Sequence, residues 1–121
     1  MTSDTIERRT TNSLISSARV EGTAVFDVAG ERLGTIQHFM VGKIDGRVRF
    51  AVLSFGGLFG VGQRYQPLPW DALSYDPDQG GYVVNLKRDQ LEAGPAYDQD
   101  GEPEFDDVYG DRISDYYGGL L

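Results

Sequence analysis

The chain has 121 residues, which is room for one domain. Its 40% hydrophobic, 12% aromatic and 25% charged residues are a globular composition, and the lack of cysteine excludes disulfides, thiolate metal sites, iron–sulfur clusters and cysteine nucleophiles. A net charge of −8 argues against a nucleic-acid partner, because phosphate neutralisation takes clustered Lys and Arg. The acidity is concentrated late in the chain: between Gly94 and Leu121 stand eight carboxylates and one base, Arg112.

Residues 1–18 are rich in Ser and Thr and read as a mobile tail, with Leu14 and Ile15 as its candidates for docking on the core. From Val20 to Leu86 the pattern changes to short runs of Val, Ile, Phe and Tyr between Gly, Asp and Asn, the signature of an all-β domain. Gly22–Phe26 is a short strand ended by a turn at Asp27–Gly30. Leu33–Lys43 is a longer one whose two alternating sets both mix apolar and polar residues, which predicts a bulge near Gln37 and His38. Asp45-Gly46 signals a hairpin, and Arg47–Phe55 follows, alternating at first and continuously apolar at its end. Gly56–Gly62, four glycines around Leu58, Phe59 and Val61, reads as a loop with a hydrophobic tip.

Arg64–Trp70 reads as an edge strand, because Pro67 and Pro69 cannot donate ladder hydrogen bonds. Asp71–Ser74 is one helical turn, Ser74-Tyr75 and Tyr82–Leu86 form a hairpin about Asp76–Gly81, and Lys87–Ala93 is a short helix stopped by Gly94-Pro95. The candidate core is Phe50, Val52, Leu53, Phe55, Trp70 and Val84. About six strands in so short a span predict a small six-stranded β-barrel with one short helix near its end and flexible tails. The chain divides into a tail at 1–18, a barrel domain at 19–97 and an acidic, Tyr-containing tail at 98–121, whose aromatic residues Phe105, Tyr109, Tyr116 and Tyr117 lead us to expect part of it to be disordered and its last dozen residues to dock.

Leu14-Ile-Ser-Ser, Val20–Val25, Gly30–Ile36, Ala51–Gly57, Gly60-Val-Gly62, Leu68-Pro-Trp70, Leu73-Ser-Tyr75 and Gly80–Val84, in this order, resemble the PRC-barrel domain family. This is the domain of the cytoplasmic part of the photosynthetic reaction-centre H subunit and of the C-terminal part of a ribosome maturation factor. The resemblance runs from Leu14 to Tyr97 and is nearest to the small stand-alone bacterial members. It implies the six-stranded PRC-type barrel and docking to protein partners, without an assigned reaction. It departs from the H subunit, whose membrane helix has no counterpart here and whose proton-delivery carboxylates map onto no named position. It departs equally from the maturation factor, whose separate N-terminal barrel residues 1–18 are too short to supply.

No catalytic constellation emerges. His38, the single imidazole, has no partner at a telling spacing and reads as a structural or surface histidine. The glycine-rich segment lacks the Lys-Ser/Thr ending of a phosphate loop. Asp98–Glu104 matches a calcium loop in acidity alone, its glycine falling at the fourth position where the sixth is required. Arg47, Arg49 and Arg64 could form a small basic patch, solvated or paired with the acidic tail.

The expectation is therefore a cytoplasmic, non-enzymatic interaction module without cofactor or metal. It associates with itself as a homodimer and with a further protein, and has no nucleic-acid or membrane partner. Its candidate contact residues are Leu58, Phe59, Val61, Tyr65 and Trp70. The alternative is a small-ligand or metal-ion-binding regulator, related to stress, resting on His38, Trp70 and the tail carboxylates.

Overall fold

The computed structural model describes residues 13–58, 61–98 and 101–121, with residues 57, 58 and 61 described by backbone alone. One turn of helix, α1 (Ser17–Val20), leads into strands β1 (Ala24–Phe26), β2 (Arg32–Val41), β3 (Val48–Leu58) and β4 (Val61–Pro69). A 3₁₀ turn at Trp70–Ala72 passes to β5 (Leu73–Asp76) and β6 (Gly81–Val84), followed by helix α2 (Arg88–Glu92), the two-residue strand β7 (Tyr97–Asp98) and helix α3 (Asp107–Gly118).

The strands form one sheet in the order β5-β6-β1-β2-β3-β4-β7, all neighbours antiparallel except β1 and β6. Val25, Ile36, Leu53, Leu68 and Val84, from five different strands, belong to one buried cluster, so the sheet curls around its core as a barrel. The fold is all-β as expected, with seven strands among the described residues where six were expected, and among them β5 and β7 end the ladder without pairing to each other. The seventh strand, β7, was not legible because two residues carry no period. It lies on β4 at Arg64 and Tyr65, leaving Pro67 and Pro69 with a single strand neighbour, which is where proline is tolerated.

The sequence pattern maps closely onto β2 and β3. Ile36 pairs with Leu53 and His38 with Val52, which leaves Gln37 as the extra residue of a bulge and moves the inward position from even-numbered Ile36 to odd-numbered Phe39. Ala51–Phe55 is buried at every position, as its continuous apolar run requires. Of the other core candidates Val84 is buried, whereas Phe50 and Trp70 are half-buried at the margin of the cluster.

Two expectations change, and the docking of the C-terminal segment takes a definite form. The glycine-rich segment is not a loop from Gly56 to Gly62: β3 runs to Leu58 and β4 starts at Val61, the two residues facing each other in a hairpin. Gly56 and Gly62 adopt φ of 68° and 77°, conformations that let the ribbon continue through them. Leu14 and Ile15 are mostly exposed, and the entry of the chain is anchored by buried Val20 instead. The acidic C-terminal segment carries α3, whose Tyr109, Ile113 and Tyr117 recur every four residues and are buried against the barrel. The Asp106 carboxylate caps α3 by accepting the Tyr109 N–H at 2.9 Å, and the Tyr116 hydroxyl donates to the Gln90 carbonyl at 2.6 Å, tying α3 to α2.

The docked helix makes folding sensitive to alkali. Burial pushes the Tyr117 and Tyr97 phenols far above the ordinary 10.0, with Tyr116 adding to the first and Glu102 to the second. Above about pH 10 the unfolded chain releases these protons and the folded chain keeps them, so stability is whole below that pH and falls as pH rises past it. Tyrosinate absorbance and far-UV circular dichroism are expected to change together on alkaline titration. Full tyrosine ionisation on a chain still folded would contradict this burial.

Candidate functional site

A concavity of about 980 Å³ lies between the turn that joins β2 to β3 and the N-terminal half of α3. Its floor is apolar and aromatic: Met40, Phe50, Pro69, Trp70 and Phe105. Trp70 is fixed edge-on to Phe39 at 5.2 Å between ring centres and tilted against Tyr82 at 5.5 Å. Phe105 stands edge-on to Tyr109 at 5.1 Å and 6.5 Å from Phe50, so the floor is a rigid aromatic surface. Gly110 brings the helix close: a Cβ there would stand 3.5 Å from the Phe50 ring, ordinary contact.

The two walls carry opposite charge. Lys43, Arg47 and Arg49 line the hairpin side, and Asp106, Asp107 and Asp111 line the helix side; Asp71, next to Trp70, also lines the groove. Arg49 is committed to its own hairpin, its guanidinium 2.6 Å from the Asp45 carboxylate. The Arg47 N–H also donates to Asp45, and this bond, with the Arg49 charge, holds the Asp45 carboxyl below its ordinary value. The pairing expected between Arg49 and the acidic tail is thus replaced by a local one, because four residues across a turn reach each other at less entropic cost than two separate elements. Among the described residues no ion pair joins the two walls.

The other residues singled out in the sequence fall as follows. Trp70 lines the groove; Tyr65 does not, and stacks on Tyr97 at 5.6 Å. Phe59 and the side chains of Leu58 and Val61 lie outside the described residues. His38 is half-buried in β2 just past the bulge, away from the groove, and Arg64 is on β4 beside β7. No group of three or more metal-ligating side chains occurs among the described residues, and no helix among them is long and apolar enough to cross a membrane. A smaller hollow of about 300 Å³ near Gly34 is lined by Thr35 and Ser54, whose hydroxyls are 3.0 Å apart.

The sequence reading expected the chain's last dozen residues to dock but not as a helix forming one wall of this groove, and it missed the exposed turn residue Ile44. The signal for the wall was present in the spacing of Tyr109, Ile113 and Tyr117 behind the capping Asp106, and was masked by the surrounding carboxylates.

Comparison with known proteins agrees with this architecture. A search of curated proteins returns no match. Among solved structures, the chain is similar to a 16S ribosomal RNA processing protein, RimM, of Pseudomonas aeruginosa, at 22% identity and a TM-score of 0.42, covering 67% of this chain and 49% of that one. The chain thus spans about half the length of that protein. The family model of the PRC-barrel domain matches residues 13–91, from ahead of α1 into α2, and leaves β7 and α3 beyond it. With the barrel topology on the same residues, this chain belongs to the PRC-barrel domain family.

Proposed function

We propose that this chain is a non-enzymatic protein-interaction module that associates with itself through its barrel. The observation that carries the reading is the groove: an aromatic floor open to solvent between two oppositely charged walls that do not neutralise each other. Such a surface has the composition of an interface core with a charged rim, aromatics in the middle and ionic groups around them. The half-buried Trp70 and Phe105 are its anchors, residues of the kind that carry most of the energy in protein interfaces. The groove contains no histidine, and its serine, Ser114, stands on the acidic helix wall, an arrangement suited to binding a surface.

Light scattering on the full chain across a concentration series tests this reading. A mass rising to that of two chains is the expected result. A mass of one chain up to millimolar concentration would remove the self-association.

A further inference from the structure

We propose that the groove is filled by a second copy of this chain across a two-fold axis. The turn bearing Lys43 and Arg47 in each copy lies against the Asp107 and Asp111 face of α3 in the other, and each Ile44 enters the other's aromatic floor. This seating rests on the self-association reading and specifies its geometry.

A two-fold interface is made by one surface meeting itself, so that surface must be its own complement. A patch of one sign repels its copy; a patch with a basic half and an acidic half on either side of an apolar strip attracts it when turned through the axis. The groove is such a patch. Lys43 and Arg47 stand on one side without an ion pair among the described residues, and Asp107 and Asp111 stand on the other in the same condition. Arg49 is already neutralised by Asp45, so the free cations are the two nearest the turn. Within a single chain the walls stay apart; in a pair each charge finds its opposite, and the contact is made twice.

Ile44 supplies the apolar part. It is fully exposed at the tip of the turn between Lys43 and Asp45, a place where polar residues are the rule, and Val41, half exposed, stands just before it. Phe50, Trp70 and Phe105 form the receiving floor, and about 980 Å³ is ample for an isoleucine side chain and the turn that bears it. The acidic wall belongs to α3, which lies beyond the residues that match the family model, so the interface combines the barrel with this chain's own C-terminal helix.

Charge exchange tests the seating. Two full-length double variants are made, Asp107→Lys with Asp111→Lys and Lys43→Glu with Arg47→Glu, and association is followed by sedimentation at low and high salt, with circular dichroism to verify folding. The unaltered chain is expected to dimerise more weakly as salt rises, and each variant alone to lose at least about tenfold in affinity. An equimolar mixture is expected to regain the dimer as a mixed pair, because the unaltered turn of one chain meets the unaltered acids of the other at one contact and the two reversed sets meet at the second. Ile44→Asp, in an exposed turn that the core does not use, is expected to weaken the dimer without altering the fold.

Variants that dimerise like the unaltered chain would overturn this seating while leaving self-association intact. A mixture that stays monomeric would overturn it as well. An unaltered chain that is monomeric throughout would remove the self-association reading, and this seating with it.

Discussion

Replacing Tyr117 by Ala is expected to destabilise the fold by about 3–5 kcal/mol, the range for emptying a fully buried aromatic site. Tyr117 is completely buried, its ring edge-on to Tyr116 at 4.9 Å, and it is the last of the three residues by which α3 holds the barrel. Among the described residues its hydroxyl has no hydrogen-bond partner, and neither has the Oε1 of buried Gln66. Both reach the same place beside Gly94, where a Cβ would stand 2.9 Å from the Tyr117 oxygen and 3.1 Å from the Gln66 amide. The ring therefore stabilises and the hydroxyl does not, so Tyr117→Phe is expected to leave stability within about 1 kcal/mol of the unaltered chain, or to raise it. Urea unfolding followed by circular dichroism separates the two. Equal losses for Ala and Phe would place the energy in the hydroxyl and contradict this account. The same packing means that a chain ending at Tyr97 loses Tyr109, Ile113 and Tyr117 together, so association is to be measured on the full chain.

The second large effect is expected at Gly34, where alanine should cost at the upper end of the ~1–3 kcal/mol of an overpacked core. A Cβ there would collide with the Ser54 carbonyl oxygen and stand 3.2 Å from the Phe55 Cβ. Both obstacles belong to β3 and cannot swing aside as a flexible side-chain end would. Gly34 also pairs with Val25 of β1, so the added methyl must push apart strands held on either side of β2. Gly22 is the internal control: its φ is +85°, and nothing lies within 4 Å of a Cβ built on it. Alanine at Gly22 meets conformational strain alone, about 1 kcal/mol. Thermal unfolding that ranked Gly22→Ala above Gly34→Ala would show that backbone conformation outweighs the close approach of β3.

Gly34 and Gly22 also show where reading along the chain stops. Both fall in segments that read as strands, Gly22–Phe26 and Leu33–Lys43, and nothing in one dimension says that one is needed for its φ and the other for the strand across from it. The segment around Gly56 failed for the same reason. Four glycines in seven residues read locally as a loop, yet pairing from Phe55 with Arg64 to Leu58 with Val61 runs as ladder. Gln37 went the other way, because a bulge shifts the parity of side chains, and parity is visible in the order of the residues.

What the order of amino acids determined by itself was the strand system: turns at Asp27–Gly30, Asp45-Gly46 and Asp76–Gly81, the bulge in β2, the buried run of β3 and the PRC-type barrel. These are consequences of local rules, backbone freedom at glycine and alternation along a pleat, which act between near neighbours. The aromatic residues of the acidic segment pointed to docking, but only the tertiary structure decided that it docks as a helix on its own barrel and forms a wall. Three buried side chains four residues apart outweigh four surrounding charges at 107–118 only when a barrel is present to receive them. It likewise decided that Lys43 and Arg47 would face Asp107 and Asp111 across an open groove, because charges some sixty residues apart in the chain acquire a distance only when the fold gives them one.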